Sequence, residues 1–291
     1  MTEAGATGAD ITEMRPAQAD KAARFLSLHS GPAPLLMPNP WDPGSAKLLD
    51  SLGFEALATT SSGFAATLGR LDGSVSREEA LAHAASIVAA TDRPVSADLE
   101  NCFADDPAGV AATVRLAVDT GLAGCSVEDF SRRPDAPIYD AGLAAERVAA
   151  AIEAAHAGPV RFVVTARAEN YVRGRRDLAD TIARLQAYQE AGADVLFAPG
   201  LTDLDDVRQV VAAVDRPVNV LPWLGSPTVA QLGEVGVRRI SVGGAFAFAA
   251  LGSVVEAARE LLEQGTYGFR ERSRVGLTAV REAFADAEGD R

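Results

Sequence analysis

Residues 93–129 read "RPVSADLENCFADDPAGVAATVRLAVDTGLAGCSVED". Two short apolar runs, "RPVSADLE" and "LAGCSVED", flank "DPAGVAATVRLAVDTG", whose apolar residues recur at three- and four-residue steps. Short runs on either side of a segment of helical period predict strand, crossover helix and parallel strand. The same alternation extends outward. "APLLMPNPW" and "FEALATTSS" precede the stretch, and "RFVVTARAE", "DVLFAPG", "RPVNVLP" and "RRISVGG" follow it. Between them lie helical segments such as "SREEALAHAASIVAATD", "GLAAERVAAAIEAAHAG" and "DLADTIARLQAYQEAG". Eight such units in 291 residues, without a break in composition, predict a single α/β domain, a (β/α)8 TIM barrel. A doubly wound open sheet is the structural alternative. The domain is expected over residues 21–291, including C-terminal helices, with 1–20, polar and weakly patterned, as a flexible N-terminal arm.

The composition, 48% apolar and 23% charged, is that of a folded chain with a sizeable core. A formal charge of -13 argues against nucleic acid and anionic membrane as partners, since both would be repelled over most of the surface. No apolar run reaches the length of a membrane span. Cys102 and Cys125 are the only cysteines, and no basic segment leads into an apolar one at the start, so a cytoplasmic location is expected.

A barrel places reactive groups at the C-terminal ends of its strands, and polar residues collect there. The second run closes on Thr59, Thr60, Ser61, Ser62 and Gly63, and the third on Asp98, Glu100 and Asn101. The fourth closes on Ser126, Glu128 and Asp129, the fifth on Arg167, Glu169 and Asn170, and the seventh carries Asn219. Strand side chains alternate, so Asp98 pairs with Glu100 on one face, Ser126 with Glu128, and Arg167 with Glu169. Carboxylates crowded into one mouth repel unless protonated or neutralised, and oxygen ligands on a rigid scaffold suit magnesium or manganese better than zinc. Arg167 offers a planar fork for a substrate carboxylate. Ser61, Ser62 and Gly63 offer donors to an oxyanion.

Plainer roles compete for the same residues. An acidic pair after a strand often caps the next helix, and Arg167 with Glu169 can be a structural ion pair at the rim. His29, His83 and His156 fall before the first run or in helical stretches and are expected at the surface. Cys102 is expected as a buried, inert thiol. "SVGGAFAF" (241–248) fits a phosphate-binding helix entry and simple helix packing equally well.

With those residues in place, the chain resembles the isocitrate lyase/phosphoenolpyruvate mutase superfamily from about Phe25 to Phe269. The resemblance is closest to its short members, which include methylisocitrate lyase, dimethylmalate lyase, oxaloacetate decarboxylase and phosphonopyruvate-processing enzymes. It rests on "WDPGSAKLLDSLGFEALATTSSGFAATLG", "PVSADLENCF", "GCSVEDF", "VVTARAENY" and "PVNVL". The resemblance implies a barrel whose last helix is exchanged between subunits, a dimer or tetramer, and Mg2+ (or Mn2+) as cofactor. By motif, it implies Asp98 as direct metal ligand, Glu100 and Glu128 as carboxylates acting through water, and Asp72 in "LGRLDG" beside the metal. It implies Arg167 and Asn219 as catalytic and substrate-binding residues, together with Ser61 and Ser62, and extends the substrate-binding turn to Gly63 and Phe64.

The chain also departs from the superfamily pattern. After the fourth strand "SVEDFSRRPDAPIYDAG" lacks the lyases' loop cysteine and histidine, as well as the mutases' Lys-x-Asn element. After the seventh, "VNVLPW" keeps Asn219 and loses the lyases' glutamate. What remains holds a 2-oxo acid on a metal and stabilises its enolate. The leading reading is therefore a magnesium-dependent lyase cleaving a C–C bond in a small 2-hydroxy or 2-oxo di- or tricarboxylic acid. C–P chemistry on a phosphonopyruvate-type substrate and a non-catalytic oxo-acid-binding protein are the alternatives. The loop "DFSRRPDAPIYD" is expected to act as a lid, with Arg132 and Arg133 as candidates for meeting a second anionic group. Tyr139, Tyr171, Arg132 and Arg133 are the candidate proton donors.

Overall fold

The computed structural model describes residues 9–285. Eight strands alternate with helices: α1 (Ala9–Leu28), β1 (Leu35–Met37), α2 (Pro43–Ser51), β2 (Leu57–Ala58), α3 (Ser61–Thr67), α4 (Arg77–Val88), β3 (Val95–Asp98), α5 (Pro107–Asp119) and β4 (Gly124–Glu128). The chain continues through α6 (Ala141–His156), β5 (Val163–Arg167), α7 (Leu178–Glu190), β6 (Val195–Phe197), α8 (Leu204–Ala212), β7 (Val218–Val220), α9 (Val229–Glu234) and β8 (Arg239–Ser241). It ends in α10 (Ala245–Arg259), which runs into one π turn, and α11 (Arg270–Phe284). Each of the eight runs read from the sequence holds one strand. Residues 9–20 of the expected arm belong to α1; residues 1–8 lie outside the described residues.

All strand pairs are parallel, in the order β1-β8-β7-β6-β5-β4-β3-β2. The seam between β1 and β2 is closed by the Ala58 amide donating to the Pro38 carbonyl at 3.0 Å and by Asn39 Nδ2 donating to the Thr59 carbonyl at 2.9 Å. The sheet is thus a nearly closed barrel. Its helices start on side-chain caps that satisfy free amides. Asp42, Ser76 and Thr228 form reciprocal capping boxes, and Asp106, Asp177 and Asp203 cap α5, α7 and α8.

Helix α1 closes the N-terminal end of the barrel. Phe25 is fully buried, and Gln18 Nε2 donates to the Val118 and Leu122 carbonyls at 2.7 and 2.8 Å. Two histidines expected at the surface are buried instead. His29 sits against the barrel floor, and His83 stacks on Phe64 at 3.9 Å while its Nε2 meets the Trp41 carbonyl. His83 lies on the inner face of α4 and His29 in the turn just past α1, and each ring contributes apolar area to the core. The Cys102 and Cys125 thiols are free and buried, and burial pushes Cys102 up to about 12, which keeps it inert. Among the described residues no helix is long and apolar enough to cross a membrane.

Helix α10 does not pack as the others do. Only Ala247 is buried, while Phe246, Phe248, Leu251, Val254 and Val255 stay exposed. Leu36, between two buried neighbours on β1, is also exposed.

Tight spacing between strands constrains one residue in particular. A Cβ on Gly124 would collide with the Val163 carbonyl of the adjacent strand and lie 3.1 Å from the Phe25 ring. Gly124→Ala is therefore expected to lower the urea midpoint by an amount corresponding to about 1–3 kcal/mol. Gly158→Ala, where nothing lies within 4 Å, should stay within about 0.5 kcal/mol of the parent. Equal effects at the two positions would contradict this packing.

Candidate active site

The C-terminal mouth opens into a cavity of about 890 Å³ whose lining includes Ser61, Ser62, Asp72, Asp98 and Arg167. A smaller, polar cavity of about 330 Å³ adjoins it and shares Ser61, Asp72, Arg167 and Arg173, adding Glu100, Glu128 and Arg132. The carboxylates and guanidiniums singled out in the sequence therefore meet around one mouth.

At its centre is Arg167, the last residue of β5. Its Nη1 lies 3.3 Å from Glu128 Oε2 and 3.7 Å from Asp98 Oδ1, and its Nε lies 2.5 Å from Glu169 Oε1. The Phe197 ring, 5.1 Å from the guanidinium carbon, supports it from β6. Burial disfavours the Arg167 charge, but Glu169, Glu128 and Asp98 more than offset this and hold the group firmly protonated. Asp98 is oriented from the neighbouring loop: Ser61 donates to Oδ2 through its amide at 3.2 Å and its hydroxyl at 2.9 Å. Its own amide donates to Thr59 Oγ1 at 2.9 Å.

Glu100 reaches the mouth by a different route from the one read in the sequence. Strand β3 ends at Asp98, and Glu100 takes a left-handed backbone, φ 51°. Strand alternation thus does not pair it with Asp98. Glu100 instead receives Arg132, whose Nη1 also donates to the Gly73 carbonyl at 3.0 Å. Burial, then the Asp98 charge, raises the Glu100 carboxyl to about 7 in spite of Arg132. Burial likewise pushes Glu128 well above the ordinary range, with Glu169, Asp98 and Glu100 adding to the shift against Arg167.

A second tier holds this arrangement in place. Buried Asp129 accepts from the Glu169 amide (2.7 Å), the Tyr188 hydroxyl (2.6 Å) and Arg184 Nη1 (3.0 Å). Glu169, itself fully buried, also binds Arg173 Nε at 3.1 Å, and the Arg173 guanidinium lies 3.5 Å from the Phe130 ring centroid.

Other expected residues lie elsewhere. The Gly63 amide caps onto Thr60 Oγ1, Phe64 stacks on His83, and neither residue lines the cavities. Asn219 is buried, with Nδ2 donating to Ser241 Oγ (3.0 Å) and Oδ1 accepting from Arg239 Nε (2.9 Å). Tyr139 binds Asn101 and Asp105 away from both cavities. Tyr171 lines the larger cavity. In the "SVGG" turn the Val242 and Gly243 amides both donate to Asn39 Oδ1, at 3.0 and 2.8 Å, so these two amides are not offered to a phosphate. Sequence reading missed Arg173 and Arg239, which also line the larger cavity. Adjacent arginines at 238 and 239 carry no mark of which one points inward.

Among the described residues no group of His, Cys, Asp and Glu side chains forms a chelating cluster of three or more. The donors at the mouth are all oxygens on two levels: partly exposed Asp98, and buried Glu100 and Glu128 behind it. This set fits a hard cation held by one carboxylate and by water, and the raised Glu100 and Glu128 mark a deficit of positive charge that such a cation would fill.

A parallel barrel with titratable groups gathered at its C-terminal mouth has the architecture of a barrel enzyme. A family model described as phosphoenolpyruvate phosphomutase matches residues 25–262. The uncharacterized protein Rv1998c of Mycobacterium tuberculosis (strain ATCC 25618 / H37Rv) is 35% identical over 236 residues, 81% of this chain and 87% of its own. A solved structure from Burkholderia cenocepacia J2315, described only in general terms as a lyase/mutase, is 52% identical with a TM-score of 0.86, over 88% of this chain and 92% of that one. A 2,3-dimethylmalate lyase structure, described as a PEP mutase/isocitrate lyase superfamily member, is 28% identical with a TM-score of 0.76, over 85% and 89% of the two chains. The chain belongs to the phosphoenolpyruvate phosphomutase family, within the isocitrate lyase/PEP mutase superfamily of enzymes.

The raised Glu100 carboxyl links stability to pH. Between the ordinary value of 4.5 and about 7 the unfolded chain releases this proton before the folded one does, so folding stability falls as pH rises through that window. In metal-free protein, Glu100→Gln is expected to be near neutral at about pH 4.5 and stabilising by roughly 1–3 kcal/mol at about pH 8. Denaturation curves at the two pH values check this; destabilisation at the higher pH would refute it.

Proposed function

We propose that this protein is a divalent-cation-dependent lyase, Mg2+ first and Mn2+ second, that cleaves a C–C bond in a small 2-hydroxy or 2-oxo di- or tricarboxylic acid through an enolate. The observation that carries this reading is the Arg167 guanidinium held among Asp98, Glu128 and Glu169 at the mouth of a cavity. The kinship to a 2,3-dimethylmalate lyase supports the C–C chemistry. Asp98, with Glu100, Glu128 and Asp72 around it, would hold the cation, which when bound supplies Lewis-acid polarisation of the substrate oxygen.

The chain's own residues do the rest. Ser61 fixes Asp98 through two hydrogen bonds, so the carboxylate is oriented before substrate arrives. Arg167, locked by Glu169 on one side and Phe197 on the other, presents its charge to the substrate carboxylate and to the negative charge that develops on the enolate. Of the four candidate proton donors, Tyr171 is the one on the larger cavity, with its hydroxyl held up by burial and by Asp206 at 3.5 Å, so it stays protonated. Its proton is available to the enolate carbon. Arg132, tied to Glu100 and Gly73, braces the loop after β4.

Incubation with Mg2+ and a panel of malate, citrate, oxaloacetate and phosphonopyruvate analogues should release pyruvate, glyoxylate or carbon dioxide without phosphate. Asp98→Asn should cut kcat/KM by about 100-fold or more. Phosphate release would point to C–P chemistry, and oxalate binding with no turnover anywhere on the panel would leave a binding protein.

We further propose that the exposed apolar face of α10 packs against a second copy of the chain, in a cytoplasmic homo-oligomer. Leu36 remains bare on β1, where the helix after β8 would lie in a self-contained barrel. Light scattering behind size-exclusion chromatography should report a dimer or tetramer, and Val254→Glu with Val255→Glu should shift it toward monomer. A monomeric parent would refute this.

A further inference from the structure

Arg239 opens β8, paired with Leu35 of β1 and Asn219 of β7. It is only 3% exposed, yet it lines the larger cavity. Hydrogen-bonded register connects it in one row, through Asn219 and Phe197, to Arg167 on β5. Arg167 ends its strand and Arg239 begins its own, so one guanidinium stands at the mouth and the other toward the floor.

The two are partnered very differently. Arg167 meets three carboxylates, Asp98, Glu128 and Glu169. Arg239 has neutral acceptors only: Asn219 Oδ1 at 2.9 Å from Nε, and His29 Nε2 at 3.5 Å from Nη1. His29 cannot supply negative charge. Its Nδ1 sits 2.8 Å from the Phe25 carbonyl, which can only accept, so that nitrogen carries the proton and Nε2 presents its lone pair to Arg239. Burial and the Arg239 charge lower His29 to about 4, which keeps the ring neutral. Among the described residues no carboxylate forms an ion pair with Arg239, and burial alone drags its own value down to about 9. The remaining buried arginines differ. Arg184 is paired with Asp129 and Asp180, and Arg147 is wrapped by three main-chain carbonyls and the Tyr139 ring.

A buried guanidinium without an anion is costly, and the cost falls when an anion reaches it. The barrel interior leaves a route. Bulky branched residues commonly fill this layer in barrels of this kind, whereas here Ala58, Ser96, Ser126 and Ser241 line the cavity. Of the two loop arginines expected to meet a second anionic group, Arg132 is already committed to Glu100 and Arg133 lines neither cavity.

We propose that Arg239 is a specificity-determining residue that binds the distal carboxylate of the substrate at the floor of the cavity, while the 2-oxo acid end is held at the Arg167 mouth. This rests on the 2-oxo acid reading above and narrows it to diacids. Asn219 and His29 act as positioning residues that aim the guanidinium inward.

Calorimetric titration in Mg2+ tests the assignment with oxaloacetate and 2-oxoglutarate against their monoacid counterparts 2-oxobutanoate and 2-oxopentanoate. Oxalate, which has no distal group, serves as the probe of the mouth. The parent should prefer at least one diacid over its monoacid by about tenfold or more. Arg239→Met and Arg239→Gln should abolish that preference and leave oxalate affinity within about twofold. Arg176→Ala, which removes an exposed arginine of the cavity rim, should keep the preference. Arg239→Lys retains a buried cation and covers the case in which the neutral variants do not fold; its shorter, non-planar head should weaken the diacid and spare oxalate.

A parent without diacid preference, or a preference that survives in folded Arg239 variants, overturns the proposal. Chloride raising the parent's melting temperature through Arg239, with diacids no better than monoacids, assigns the position to an inorganic anion and also overturns it. Failure of oxalate to bind, beside an Arg239-dependent diacid preference, would instead refute the mouth reading and leave this one standing.

Discussion

The constraint on which the mouth of this barrel depends is charge compensation. Asp98, Glu100, Glu128 and Glu169 approach one another from three strand ends, and the last three are buried. Left alone they would repel or take up protons. Arg167, Arg132 and Arg173 are threaded between them, each donating to at least one carboxylate. The compensation is incomplete, because Glu100 and Glu128 still sit far above their ordinary range. A site in this state is prepared for one more cation, and that deficit ties the fold to the proposed chemistry. Buried ion pairs of this kind add little to stability once desolvation is counted. Their value is geometric: they fix where an arriving cation and an anionic ligand can sit.

Much of this was legible in the sequence because a parallel barrel imposes two simple rules. Strands buried on both sides read as short apolar runs, and strand ends carry the reactive groups. Those rules located all eight strands and brought Asp98, Glu128 and Arg167 to one place. They failed where the chain leaves regular structure. Alternation holds only inside a strand, so it could not follow Glu100 through its left-handed turn. Nor could it foresee that Asn219 faces Arg239 and Ser241 rather than the cavity. The histidines were misplaced for a related reason. His83 lies on a helix, and His29 just past the end of one, whose inner faces are set by tertiary packing, and a single polar residue there does not reveal which way it turns.

The buried support behind the mouth explains why the carboxylates keep their places. Asp129 ends the same strand region as Glu128 and takes up three donors, one of them the Glu169 amide. It therefore clamps β4 to the backbone just beyond β5, while Arg184 and Tyr188 anchor it to α7. Burial raises Asp129, and the Tyr188 hydroxyl and the Glu169 amide oppose that rise by hydrogen bonding to the charged form. The geometry of the neighbouring carboxylates is thus inherited from Asp129, Arg184 and Tyr188, which line neither cavity.

The loop after β4 carries neither the cysteine nor the histidine of the superfamily's lyases, and its charge at the rim is on an arginine. This residue, Arg132, is held in a left-handed conformation (φ 63°) that directs the guanidinium onto Glu100 and the Gly73 carbonyl. That conformation is costly for a residue with a long side chain, and it is held by Nη1 on the Gly73 carbonyl and Nη2 on Glu100, while Nε is left without a partner. Arg132 therefore joins the loops after β2, β3 and β4 into one rim. An arginine cannot release a proton at neutral pH, so Arg132 serves at the rim to hold charge. In the lyase reading proposed above, the proton would come from Tyr171, which is held in its protonated form and lines the larger cavity from the loop after β5.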